Sequence, residues 1–163
     1  MTAKKQKVTT FLWFDKEAEE AANYYLSIFK NSKINTITRC GEIGPGPKGS
    51  VLTVAFEIDG QEFVALNGGP HFKFTEAISL VVNCDTQAEV DYYWEKLGEG
   101  GEFSACGWLK DRYGLSWQIT PRVLIEMISS HDRSKADRAM AAMMKMGKLD
   151  IRTLESAYAS KAA

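Results

Sequence analysis

Two stretches of this chain repeat one another. Asn23-Tyr24-Tyr25-Leu26 matches Asp91-Tyr92-Tyr93-Trp94, 68 residues further on (91 − 23). Carried upstream without a gap, the same offset lays residues 10–14 over 78–82, both strand-like. Around each match the elements follow in one order, strand–helix–strand–strand–strand. A repeat of this length means two copies of one module with related cores. That excludes most of the folds open to a chain of 163 residues.

In the first module, residues 8–14 (VTTFLWF) read as a strand. Asp15 offers an N-cap oxygen to a helix over residues 17–29. The apolar stripe of that helix is Ala18, Ala21, Ala22, Tyr25 and Phe29, at three- and four-residue spacing. Asn31 and Ser32 stop it, and residues 33–40 alternate as a strand. Gly44-Pro45-Gly46-Pro47-Lys48-Gly49 makes residues 41–50 an irregular loop and a candidate lid. Residues 51–58 form a strand, Asp59-Gly60 a two-residue hairpin turn, and residues 61–66 the returning strand.

The second module opens with a strand over 77–84. Thr86-Gln87-Ala88-Glu89 is a capping box for a helix that runs to Leu97 and ends at Gly98. Residues 107–110 and 115–120 pair as a hairpin around Asp111-Arg112-Tyr113-Gly114, and Pro121 closes the cycle. Helices are expected over 123–128, over 136–146 behind a Ser134-x-x-Asp137 cap, and over 153–158. The organisation is one domain: modules at 8–67 and 73–121, and a helical tail at 122–163.

Charge excludes one class of partner. Twenty Lys and Arg stand against 21 Asp and Glu, a net charge of −1. Such a balance makes no field to hold a polyanion, so nucleic acid is not an expected partner. No apolar run approaches the ~18 residues that span a bilayer. Residues 1–7 are basic but lack the apolar region of a signal peptide. The expectation is a cytoplasmic protein with no membrane partner. Cys40, Cys84 and Cys106 are odd in number and lack CxxC spacing, so no disulfide framework is expected.

Paired βαβββ modules of this size resemble the vicinal oxygen chelate superfamily, and in particular its PhnB-like branch. The resemblance is carried by residues 11–15 (FLWFD), 18–25 (AEEAANYY), Ser50, Val51, Phe56, 59–61 (DGQ), Gly69, Pro70, Phe72 and 74–80 (FTEAISL). It continues through 89–91 (EVD), Trp94, Leu97, Gly100, Gly101, 106–111 (CGWLKD), Gly114, 116–118 (SWQ), Lys145 and Met146. Its most specific piece is the Cys-Gly-Trp-Leu-x-Asp…Trp-Gln stretch. Proteins of this branch carry labels such as demethylubiquinone methyltransferase, glyoxalase or bleomycin resistance. The resemblance implies an α+β fold in which two βαβββ modules form a cupped mixed sheet, an incomplete barrel, with outer helices and a C-terminal helical tail. It also implies a homodimer and a cavity for a small molecule, with or without a metal.

A divalent metal site needs three or four His, Asp, Glu or Cys ligands in one space. In metal-dependent relatives they come from the first and last strands of each module. The resemblance puts those positions at Phe11 and Ser79 on the first strands, at Gln118 on the last strand of the second module, and at Val64 or Leu66 on that of the first. Relatives place a Glu four residues after an Asp-x-x-Gly turn; here Asp111-x-x-Gly114 leads to the neutral amide of Gln118. Neither a metal nor any other cofactor is expected.

The expected ligand-binding residues are Phe11, Trp13, Asn67, His71, Ser79 and Gln118. Phe11 and Trp13 share strand parity and would form an aromatic wall, with Asn67, Ser79 and Gln118 as its polar groups. His71 is either an acid–base group at the cavity mouth or a surface-loop histidine. Trp117, next to Gln118, faces the opposite way, under a helix, and Trp94 belongs to the core. Cys106, near Lys110, is either an activated nucleophile or, as favoured here, an inert buried cysteine at a strand start. His131 is solvated. Met140, Met143 and Met144 share one face of the tail and dock on the chain's own sheet or, by preference, on a dimer partner.

The leading expectation for function is a metal-free homodimer that binds a small flat or apolar molecule. The second is a glyoxalase- or dioxygenase-like enzyme acting on a small oxygenated substrate. The third is a structural or interaction protein with a filled cavity. Methyl transfer is not expected, because the Gly-Pro-rich loop opens no helix and makes a poor cradle for a nucleotide-like donor.

Overall fold

The aromatic and β-branched start of each module becomes a strand, and the alanine- or tyrosine-rich segment behind it a helix. The computed structural model describes residues 6–160. It divides the chain into two compact units, one ending at Lys73 and the other beginning at Phe74. The first contains β1 (Thr10–Phe14), α1 (Ala18–Ile28), β2 (Ser32–Arg39), β3 (Val51–Ile58) and β4 (Gln61–Asn67). The second contains β5 (Ser79–Cys84), α2 (Gln87–Gly98), β6 (Glu102–Phe103), β7 (Trp108–Lys110) and β8 (Ser116–Pro121). It continues into α3 (Arg122–Ile128), α4 (Arg133–Met143) and α5 (Ile151–Ala159). The fold class is α+β, as expected.

Each unit holds a four-stranded mixed sheet, ordered β1-β4-β3-β2 in the first and β5-β8-β7-β6 in the second. The outer strand β1 runs parallel to β4, and β5 parallel to β8; the remaining pairs are antiparallel. Parallel neighbours need a crossover. In both units the helix and the intervening strands supply it, so the sequence repeat is also a repeat of topology.

The helix covers one face of each sheet. In the first unit Ala18, Ala21, Ala22 and Tyr25 of α1, with Phe29 just past its end, are buried with Leu12, Phe14, Val54, Phe56 and Phe63. Tyr25 stacks on Phe56 at 6.3 Å, and Phe56 on Phe63 at 5.6 Å. Fully burying a side chain like Phe56 stabilises by about 2 kcal/mol. In the second unit Val90 and Leu97 of α2 are buried with Val82, Leu109, Trp117 and Ile119. Trp117 therefore lies on the helix side, as its parity required.

Several local expectations are corrected. Asp15 does not cap α1: the N-cap position is Glu17, with no side-chain cap. The backbone N–H of Ala18 instead donates to Asn67 Oδ1 at 2.8 Å, so a residue 49 positions away in β4 does the capping. The first strand of the second module begins at Ser79, two residues later than its β propensity suggested. Helix α4 is capped by Asp132, which accepts from Lys135 N–H, and not by Ser134; it ends at Met143. The Thr86–Glu89 capping box forms as read, with both reciprocal bonds.

Strand β6 is the strand that the module order requires between α2 and β7, at residues to which the sequence analysis assigns no strand. It is two residues long and returns through a tight turn in which Cys106 (φ +59) and Gly107 (φ +80) are both left-handed. Trp108 N–H closes the turn on Ala105 C=O at 3.1 Å. The hairpin at Asp59 (φ +48) and Gly60 (φ +78) uses the same geometry, and Asp-Gly announces it. A cysteine in that conformation is uncommon and announces nothing.

The tail forms a small core of its own from Leu124, Met127, Ala139, Leu149 and Leu154, against which Met143 and Met146 pack. Met144, by contrast, is exposed. The tail is bonded to the second unit. Cys106 and Gly107 N–H donate to Met146 and Gly147 C=O at 2.7 and 2.8 Å. The Gln87 amide donates to Leu149 C=O and accepts from Ile151 N–H, and Lys148 pairs with Asp91 at 2.6 Å.

Candidate functional site

With a helix on one face of each sheet, the residues of opposite parity form an open face. In the first unit the register sets Phe11 beside Val64 and Ala55, and Trp13 beside Leu66 and Thr53. Phe11 is 61% exposed. Trp13 is held firmly. Its Nε1 donates to Gly69 C=O at 2.9 Å, and the Phe72 ring meets it edge-on at 4.9 Å and 79°. Its ring lies so close over Gly68 that a Cβ there would stand 2.3 Å from the indole.

Asn67 is committed elsewhere. While Oδ1 caps α1, Nδ2 donates to Val51 C=O at 3.0 Å, so its amide ties two elements together rather than presenting itself to a ligand. His71 is exposed in the turn after Pro70. The Gly-Pro loop joins β2 to β3, with Cys40 N–H donating to Ser50 C=O and Gly49 N–H to Cys40 C=O. It opens no helix.

In the second unit the register pairs Ser79 with Ser116, Val81 with Gln118, and Gln118 with Trp108. Gln118 Nε2 donates to Ser79 Oγ at 2.9 Å. Two of the expected residues, 39 positions apart, are thus brought into direct contact. The register also resolves the choice between Val64 and Leu66. Trp13 pairs with Leu66 as Val81 pairs with Gln118, and 81 − 13 is the repeat offset of 68. Leu66 is the counterpart of Gln118, and Val64 that of Ser116.

The positions at which the resemblance puts metal ligands thus hold Phe11, Leu66, Ser79 and Gln118. A phenyl ring, an isobutyl group, a hydroxyl and an amide do not fit a divalent cation, which needs anionic or imidazole donors. Among the described residues no three His, Cys, Asp or Glu side chains are grouped to hold one.

A pocket of about 200 Å³ in the second unit, absent from the sequence expectations, is lined by Glu76, Glu102, Ser104, Trp108, Lys110 and Ser116 among others. Lys110 Nζ lies 2.5 Å from Glu76 and 3.8 Å from Glu102. The hydrogen bond from Lys110 holds the Glu76 carboxyl below its ordinary range, and the same bond raises the ammonium of Lys110. Parity could have found two of these residues: Trp108 and Lys110 alternate with buried Leu109 and face the same way as Gln118. Lys110 and Asp111 do face opposite ways, for Asp111 is buried.

Cys84 is buried, and desolvation, reinforced by Glu89 and Asp85, pushes its pKa up to about 12. Cys106 is half-buried in the β6–β7 turn rather than fully buried at a strand start. Because the Cys84 pKa is raised, only about one thiol in 10⁴ is ionised near pH 8. Iodoacetamide applied to the native protein should leave Cys84 unlabelled in peptide mass spectra while the unfolded chain is labelled fully. Equal labelling in both states would contradict this placement.

A family model described as 3-demethylubiquinone-9 3-methyltransferase matches residues 6–120. The chain belongs to this family. As a PhnB-like protein it falls within the vicinal oxygen chelate superfamily. The PhnB protein of Bacillus cereus is 42% identical, with a TM-score of 0.65; the match covers 71% of this chain and 99% of that one. A crystal structure of a Pseudomonas aeruginosa protein, 19% identical, superposes with a TM-score of 0.60 over 72% of this chain and 98% of its own, a likeness of fold alone. No curated protein matches. The family match of this PhnB-like chain stops at the end of β8, so α3–α5 lie beyond it. No helix among the described residues is long and apolar enough to cross a membrane.

Proposed function

We propose that this chain is a metal-free, small-molecule-binding member of the superfamily, working as a homodimer in the cytoplasm. The observation that carries the reading is the Gln118–Ser79 hydrogen bond at two positions where metal-dependent relatives place ligands. An amide and a hydroxyl satisfying one another take the place of groups that would otherwise bind a cation. They leave Gln118 Oε1 as an acceptor for a neutral or hydrogen-bonding ligand. In the first unit, Phe11 and the anchored Trp13 form an aromatic surface, and such surface suits flat apolar molecules. Exposed apolar side chains on both open faces, Phe11 and Val81, also favour a second copy as partner.

The family name points to methyl transfer. The loop that would have to cradle a nucleotide-like donor instead joins two antiparallel strands and presents no helix N-terminus, which argues against that chemistry for this chain.

The decisive experiment is metal analysis of protein purified without chelator, then thermal melting with added Mn²⁺, Ni²⁺ and Zn²⁺. The expected result is substoichiometric metal and a shift in Tm below about 1 °C, because only binding to the native state raises Tm. Naphthalene and related aromatic ligands should raise it clearly. Stoichiometric metal, or a large shift with one divalent ion, would overturn the reading.

A further inference from the structure

Among the described residues, the buried side-chain atom without a hydrogen-bond partner is Ser116 Oγ. Ser116 is 1% exposed. Such orphans are rare in native proteins and call for a partner. Ser116 lines the 200 Å³ pocket, and Lys110 is its direct cross-strand neighbour on the same face. The pocket is smaller than the roughly 300–1,000 Å³ of drug-sized sites. Its lining includes Ser116, which carries that orphan hydroxyl, and Lys110, whose side chain is 34% exposed. Its carboxylates, Glu76 and Glu102, are mostly exposed and stand at the rim. Lys110 is the only cation in the lining. One carboxylate already sits on it: that of Glu76, from the short segment before β5.

We propose that this pocket binds a small carboxylate with an apolar body, and that Glu76 occupies the ammonium as an internal competitor until the ligand displaces it. The proposal rests on the reading of the chain as a small-molecule-binding protein. One ligand oxygen replaces Glu76 on Lys110 Nζ. The other accepts the Ser116 O–H and so supplies the missing partner. The apolar body lies against Trp108. Glu102, 3.8 Å from the same ammonium, repels a doubly charged phosphate about twice as strongly as a singly charged carboxylate at the same distance.

The test titrates benzoate, and benzamide as its neutral counterpart, into the full-length chain while the Trp108 indole N–H is followed by NMR. Glu76→Gln should tighten benzoate about three- to fivefold, because an exposed ion pair no longer competes. Lys110→Met should weaken it about tenfold or more, and Ser116→Ala about threefold or more. Benzamide should change by less than about twofold in every variant. Lys110→Gln replaces the methionine variant if that one fails to fold. Equal benzoate affinity in the wild type, Glu76→Gln and Lys110→Met, or no perturbation at Trp108, would overturn the proposal. Naphthalene raising Tm while benzoate fails at Trp108 would sink the carboxylate site alone. If neither ligand acts, the broader reading fails with it.

Discussion

Replacing Asp111 with alanine should cost the second unit about 3–5 kcal/mol, because one buried carboxylate satisfies three donors. Asp111 is 2% exposed. Its Oδ1 accepts from the backbone N–H groups of Tyr113 and Leu115 at 2.8 and 3.1 Å, and its Oδ2 accepts from Trp117 Nε1 at 2.9 Å. The turn between β7 and β8 is thereby bonded to a tryptophan in the core. Truncation leaves all three donors without their acceptor, and the Trp117 N–H, 3% exposed as a residue, has no route to water. Asp111→Asn separates the contributions. An amide can still accept from the turn N–H groups, but its NH₂ then faces the indole N–H, donor against donor, and a loss of about 1–3 kcal/mol remains. Urea denaturation followed by tryptophan fluorescence reads both variants. An alanine variant within about 1 kcal/mol of wild type would mean that the carboxylate does not hold the turn.

Gly68→Ala should destabilise the first unit by about 2–4 kcal/mol, combining overpacking with a lost hydrogen bond. The added Cβ would sit 2.3 Å from Cε2 and Cζ2 of Trp13, within the body of a ring that cannot swing away cheaply. Displacing the indole breaks its bond to Gly69 C=O and its edge contact with Phe72. A double-mutant cycle with Trp13→Leu isolates the cause, since in the leucine background the alanine should be tolerated at a small fraction of that cost. Equal costs in both backgrounds would place the strain somewhere other than the indole. The same cycle should reduce any aromatic-ligand response assigned to the Trp13 face.

These two residues show unevenly in the sequence. Asp111 stands out as the head of an Asp-x-x-Gly turn, yet its bond to Trp117 depends on the turn folding back over the helix side of β8. Gly68 reads only as a breaker after β4; that it is glycine because an indole lies over it is a fact of packing. Asn67 is the sharper case. Its residue type suits a ligand pocket, and only the structure reveals that it replaces the cap that Asp15 was expected to provide.

The periodic part of the protein is legible in its residues alone. The 68-residue repeat, the α1 stripe, the Asp59-Gly60 turn and the Thr86 capping box are local patterns whose physics acts within a few residues, so they survive being read in one dimension. Strand parity belongs with them: it placed Phe11 with Trp13 and set Trp117 against Gln118. Tertiary structure decided what depends on register between distant strands. It brought Ser79 to Gln118, made Leu66 rather than Val64 the counterpart of Gln118, and set the orphaned Ser116 hydroxyl beside Lys110 and its Glu76. A one-residue slip in pairing would turn each of these side chains to the other face. Register is fixed by the packing of whole sheets against helices, and no short stretch of sequence carries that information.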